Sequence, residues 1–115
     1  INSKNEAILE VIEKSVSTGL HIHFSELDVA VNPKNNPDFV YDDVAKDEQL
    51  NKFLLLFNAF KSIPLGQQYG ITFWNVGDKD SWLRGYFKRP KENPLLFDDG
   101  YVRKSAYQVL YQTLK

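Results

Sequence analysis

Two carboxylates close an otherwise apolar run. In Leu20-His21-Ile22-His23-Phe24-Ser25-Glu26-Leu27-Asp28, the residues Leu20, Ile22 and Phe24 alternate with His21, His23 and Ser25, which predicts a strand over residues 20–29. Successive strand side chains point to opposite faces, so strict alternation carries Glu26 and Asp28 to the side of Leu20, Ile22 and Phe24. Acids ending an apolar strand face serve packing badly and are expected where a strand opens at the mouth of a site. A carboxylate held there can attack an electrophilic carbon or move a proton. Further along, Trp74 and Trp82 stand in one short stretch. Their flat apolar faces with a polar edge suit sugar rings as well as protein cores. Trp74 ends a strand-like run. Trp82 lies in a polar segment beside Lys79, Asp80 and Arg84, where burial explains it poorly.

These residues need elements to position them. Ser3-Lys4-Asn5-Glu6 has the form of a capping box, and Ile8, Val11, Ile12 and Val16 follow at helical spacing. Gly19 stands where a helix C-terminal cap belongs. After the first strand, residues 32–43 are rich in Asn, Pro and Asp and read as a loop. A second helix is predicted over residues 43–62, with Leu50, Phe53, Leu54 and Phe57 inward and Pro64 and Gly66 beyond its end. Ile71-Thr72-Phe73-Trp74 makes a short second strand, and a last helix covers residues 104–114. The connection over residues 75–98 is longer than a compact fold tolerates without a functional reason. Helix, strand, helix, strand, helix is the order of an α/β fold with parallel strands. Two parallel strands do not complete a sheet, since such strands want cover on both faces and neighbours at both edges. The sequence therefore reads as part of a fold.

Bulk properties remove several classes of function. The 115 residues carry a formal charge of −1, which gives no basic footprint for nucleic acid or anionic membrane. There is no cysteine, so disulfide frameworks and thiolate chemistry are out. No stretch is long and apolar enough to span a bilayer. The polar start, Ile-Asn-Ser-Lys-Asn-Glu, has no signal-peptide pattern and no initiator Met, so the segment is expected to begin inside a longer coding sequence. His21 and His23 alternate away from Glu26 and are expected to face the flanking helices; a His-x-His pair needs further ligands to hold a metal, and none is apparent. Asp42-Asp43 and Asp98-Asp99 read as helix-start and turn residues, Lys88-Arg89-Pro90-Lys91 as a solvated loop, and Ser17 and Ser81 lack a base partner. No cofactor is called for.

Three segments stand out together: Ser25-Glu26-Leu27-Asp28, the run from Ile71 through Trp74-Asn75-Val76-Gly77-Asp78 to Ser81-Trp82-Leu83, and Pro94-Leu95-Leu96-Phe97-Asp98. In this order they resemble glycoside hydrolase family 10, the endo-β-1,4-xylanases, over nearly the whole chain. The resemblance implies the C-terminal portion of a (β/α)8 TIM barrel, from the sixth helix to the eighth, with strands seven and eight and an incomplete domain over residues 1–115. It implies a retaining reaction in which Glu26 is the nucleophile and a second glutamate, on a strand four absent here, is the acid/base. Asp28, about 6.6 Å along the same strand, leaves from the wrong direction to be that acid; the family pattern makes it a support that bonds a strand-six His and orients the nucleophile. Trp74 and Trp82 match sugar-stacking tryptophans, and Asn75, where the family has Gly, lies beside them in the substrate-binding set. Ser25 replaces Thr, and Ser105 stands where a Pro usually starts the last helix. The implied partners are xylan or xylo-oligosaccharides and the remainder of the barrel, with a secreted or cell-envelope location. Two readings compete with a xylanase: a non-catalytic xylan-binding or scaffold role, disfavoured by the Glu26-Leu27-Asp28 segment, and a barrel glycosidase acting on another β-1,4-glycan.

Overall fold

The computed structural model describes residues 3–115. Helix α1 (Asn5–Val16) leads into strand β1 (Ile22–Leu27), helix α2 (Asp43–Ser62), strand β2 (Gln68–Phe73), the one-turn helix α3 (Trp82–Gly85) and helix α4 (Ser105–Leu114). Strands β1 and β2 pair in parallel, Phe24 opposite Ile71 and Leu27 opposite Phe73. Among the described residues these two form the whole sheet, so both outer edges are free.

Local chemistry accounts for the boundaries. Asp42 caps α2 by accepting the Ala45 N–H at 2.9 Å, which satisfies a donor that the helix leaves open. At the other end Ile63 is extended (ψ 138), as the residue before Pro64 must be to avoid the proline ring. Gly19 takes the left-handed conformation (φ 73) after α1, as its position in the sequence leads one to expect. The capping box does not form. Lys4 is the N-cap of α1 and no side chain caps the helix. Instead Lys52 of α2 donates to the Ser3 carbonyl at 2.9 Å, so the N-terminal turn is held by a partner far along the chain. Helix α4 begins at Ser105, and Lys104 before it is extended.

The core lies on one side of the sheet. Leu27 and Val29 meet Phe53, Leu56 and Phe57 of α2, which in turn meet Ala106 and Leu110 of α4. Ile71 and Phe73 of β2 close on the same cluster, with the Phe53 and Phe73 rings 5.9 Å apart. The opposite face of the sheet is open and polar: His23 shares a 2.8 Å hydrogen bond with Thr72, and both are exposed. His23 thus lies on the face away from α2, while its neighbour Phe24 packs edge-on against Phe60 at 5.3 Å. For His23 and α2 this reverses the expectation that the histidines face the helices, because Phe24 is the residue that α2 covers; His23 instead borders a groove beside α1. Among the described residues no helix is long and apolar enough to cross a membrane.

Phe53 is fully buried at the centre of this cluster. Phe53→Ala is expected to lower stability by about 3–5 kcal/mol, read from the urea midpoint of the full protein. A loss below about 1 kcal/mol would mean that the core is centred elsewhere.

Candidate active site

Glu26 sits at the exit of β1 in the left-handed region, with φ 55. For a residue with a Cβ this backbone costs about 1–2 kcal/mol, and such strain persists only where surrounding structure imposes it. It coincides with the irregular register between Phe24 and Leu27. The kink also resets the alternation. Phe24 and Leu27, of opposite parity, both turn toward α2, and Leu27 is 3% exposed. Glu26 is thereby left exposed rather than carried onto the apolar side, which corrects the placement that strict alternation predicts. Asp28 is half-buried between the buried Leu27 and Val29.

The exit of β2 is tied to that of β1. The Trp74 N–H donates to the Leu27 carbonyl at 3.0 Å, which places Trp74 one strand across from the Glu26 kink. Asn75 follows at φ 98, a conformation that Gly adopts freely and Asn tolerates better than most residues. The Trp74 and Trp82 rings meet edge to face, 5.9 Å between centroids and 68° between planes. Trp82 opens α3, which Ser81 caps by accepting the Leu83 N–H at 3.1 Å.

A buried polar frame holds this loop. Asp78 is 1% exposed; it accepts the Leu95 N–H at 2.8 Å and the Lys104 ammonium at 3.1 Å. Gly77 runs so close to the Tyr101 ring that a Cβ would lie 2.8 Å from it, so only glycine fits. Arg84 donates to Asp99, to the Asn93 side chain and to the Glu92 carbonyl. The carboxylate of Glu92, fully buried, accepts the Val31 N–H at 2.8 Å, and Gln49 of α2 donates to the carbonyls of Val29 and Asn93. The segments after β1 and β2 are therefore braced against one another and against α2 and α4. Burial pushes the Asp78 carboxyl up and the Lys104 ammonium down from their ordinary ranges, while their mutual attraction opposes both shifts. Burial, with the Asp78 charge adding to it, drives the Tyr41 phenol far above its ordinary value.

Glu26, Trp74 and Asn75 thus share the strand-exit end, and Trp82 touches Trp74 across it. Asp42 and Asp98 are structural: Asp42 caps α2, and Asp98 accepts the N–H groups of Gly100 and Val102 within a turn. Among the described residues no three His, Asp or Glu side chains gather as metal ligands. Sequence reading missed the Asp78–Lys104 pair, the Arg84 fork and Glu92, since partners 8 to 61 residues apart in irregular segments leave no local pattern. The tight Gly77-Asp78 step was the one available signal.

The model of the glycosyl hydrolase family, number 10, matches residues 1–113. An endo-β-1,4-xylanase, Xyn10C of Cellvibrio japonicus, is 32% identical over 114 residues, covering 86% of this chain and 18% of that protein. A thermostable celloxylanase of Thermoclostridium stercorarium is 31% identical, covering 92% of this chain and 28% of its own length. Among solved structures, xylanase 10C of Cellvibrio japonicus in complex with xylopentaose aligns with a TM-score of 0.83 at 28% identity, over 98% of this chain and 25% of that one. A family 10 structure from Paenibacillus barcinonensis aligns at 0.82 and 29%, over 99% of this chain and 34% of that one. The chain therefore spans well under half of the proteins it matches, and it is an α/β piece of a barrel.

Lys104→Met is expected to destabilise by about 3–5 kcal/mol at neutral pH, because it strands the Asp78 charge. The deficit is expected to shrink on acidification. A carboxyl whose folded pKa lies above its unfolded value costs stability as pH rises through that window, and costs nothing below it, where both states are protonated. Denaturant titrations at neutral and acidic pH check this; an equal deficit at both would show that Asp78 is not the stranded group.

Proposed function

The chain belongs to glycosyl hydrolase family 10, and from that premise we propose that it is part of a retaining endo-1,4-β-xylanase cleaving internal bonds of xylan, with Glu26 as nucleophile. The observation that carries the reading is the placement of Glu26. It is an exposed carboxylate held in a strained kink at a strand exit, with an aromatic wall beginning one strand away. In the first step the Glu26 carboxylate attacks the anomeric carbon as the glycosidic bond breaks. The leaving oxygen takes a proton from a second carboxyl about 5–5.5 Å away, and water later releases the sugar with retention.

The second carboxyl is not Asp28, which departs from the same strand segment. Its proposed role is to hold Glu26 ionised and oriented, and the acid/base glutamate belongs to the rest of the barrel. Trp74 and Trp82 would each present a ring to a pyranose face, fixing the sugar for attack and excluding water, with Asn75 offering an amide beside them. The open surfaces favour a missing barrel remainder. A groove of about 440 Å³ is lined by Ile8, Val11 and Ile12 of α1 and by Phe24, Leu27 and Leu56, and both sheet edges lack partners among the described residues. A secreted or cell-envelope location fits a polymeric substrate. A relative named a thermostable celloxylanase keeps a second reading in view, a barrel glycosidase acting on another β-1,4-glycan.

The test is to treat the complete enzyme with a 2-fluoro xylobioside that traps the glycosyl-enzyme and to map the labelled peptide by mass spectrometry. A label on Glu26 is expected, with turnover abolished in Glu26→Ala and binding weakened about tenfold in Trp82→Ala. Wild-type rates from Glu26→Ala, or a label elsewhere, would remove the assignment. The isolated 115-residue segment is expected to show no xylanase activity; turnover by the purified segment would refute the placement of the acid/base residue outside it.

A further inference from the structure

The aromatic contacts do not stop at Trp82. Its ring lies 5.3 Å from that of Tyr86 at a shallow 34°, and Tyr86 meets Phe87 edge-on at 5.1 Å and 87°. Tyr86 is 70% exposed and Phe87 51%. Large aromatic faces left in water are costly unless something covers them. The turn that carries them is anchored. The N–H groups of Tyr86 and Phe87 both donate to the Trp82 carbonyl, at 2.9 and 3.0 Å. Arg84, between Trp82 and Tyr86, anchors the turn through Asp99, Asn93 and the Glu92 carbonyl. The Arg89 guanidinium rests on the Phe87 ring at 5.6 Å. A pinned aromatic loses little side-chain entropy when it binds, which is how rigid rings serve as recognition surfaces.

Resting on the glycanase reading above, we propose that Tyr86 continues the sugar-binding wall of Trp74 and Trp82 by a further, distal position that stacks on a pyranose unit remote from the cleaved bond, with Phe87 as its buttress. Three features favour a glycan chain over coverage by the missing barrel. The ladder is continuous with the two tryptophans. Tyr86 is 70% exposed, so much of its ring stays open to a ligand beside Trp82. Tyr86 and Phe87 line neither of the two apolar grooves beside the sheet, one between α1 and β1 and the other among α2, β2 and α4. A relative solved with xylopentaose accommodates a chain of several sugars.

A distal contact has a signature that a structural residue lacks: it matters only to ligands long enough to reach it. The experiment is isothermal titration of the complete protein with xylo-oligosaccharides from two to six units, in a Glu26→Ala background that leaves the ligands uncleaved, for that parent and for Tyr86→Ala, Tyr86→Phe and Trp82→Ala added to it, with thermal unfolding of each variant. The expected result is that Tyr86→Ala weakens binding of the longest oligosaccharides about fivefold to tenfold and leaves the shortest unchanged. Tyr86→Phe, which keeps the ring, retains most of the affinity, and Trp82→Ala weakens shorter ligands as well. An equal loss at all lengths, no loss at any, or a fall in Tm without a length effect overturns the proposal while leaving the glycanase reading intact. A Glu26→Ala parent that binds no xylo-oligosaccharide of any length, together with wild-type protein that cleaves none, overturns both.

Discussion

Asp78 and Lys104 form the joint on which the strand-exit end depends. A carboxylate and an ammonium taken out of water together cost several kcal/mol each in desolvation, and their attraction returns that only with good geometry and further partners. Here the partners are present. Asp78 also accepts from the Leu95 backbone, and Lys104 also donates to the Asn93 carbonyl. The pair therefore links three places at once: the turn that follows Trp74, the Pro94-Leu95 segment and the start of α4. Around it Gly77 admits the Tyr101 ring, and Arg84 fastens the far side of the loop to Asn93 and Asp99. The connection over residues 75–98 holds only short helical turns at Asp78–Asp80 and Trp82–Gly85, so these anchors are what fix it, and a mobile loop holds an aromatic wall poorly.

The same end of the sheet also stores strain. Glu26 and Asn75 each follow or close a strand in the left-handed region, on neighbouring strands joined by the Trp74 N–H to Leu27 carbonyl bond. Neither conformation is one that its residue type seeks. Each is imposed by what surrounds it: Leu27 and Val29 seated against α2 fix the chain after Glu26, and the Asp78 anchor fixes the chain after Asn75. Stability from the core and from the buried pair thus offsets a backbone arrangement that leaves one carboxylate exposed at a strand end. A relaxed strand would bury that carboxylate or swing it away from the tryptophans.

How far the sequence could be read depended on the range of the interactions. The extent of helix α2 was legible because its signals are local, with Asp42 at the start and Pro64 after the end, although of its inward face Phe53 and Phe57 were read and Leu56 and Phe60 were not. The parallel pairing followed from element order, and the family from three motifs in series. Strict alternation failed at Glu26, because it assumes a regular pleat and the bulge there is fixed by tertiary packing of Leu27. The same assumption sent His23 to the wrong face. The capping box at Ser3 lost to Lys52, which reaches back from α2. Of the polar frame only Gly77 was foreshadowed locally; Glu92 reaches Val31 and Arg84 reaches Asp99 across separations that carry no pattern.

The open faces follow from the same logic. Parallel strands persist when both faces and both edges are covered, yet here α2 and α4 cover one face and His23 and Thr72 stand on the other in a polar pair. A small polar pair on an open sheet face, beside aliphatic side chains of α1 exposed around a groove, is what a larger closed sheet leaves when only two of its strands are present. The polar face would then line the inside of the barrel, and the aliphatic groove would receive the neighbouring strand and helix. On that arrangement the buried frame at the strand exits is self-contained within these residues, whereas the sheet is not. The aromatic wall and Glu26 are positioned by local anchors, and on the reading proposed above the opposing carboxyl would come with the strands that close the sheet.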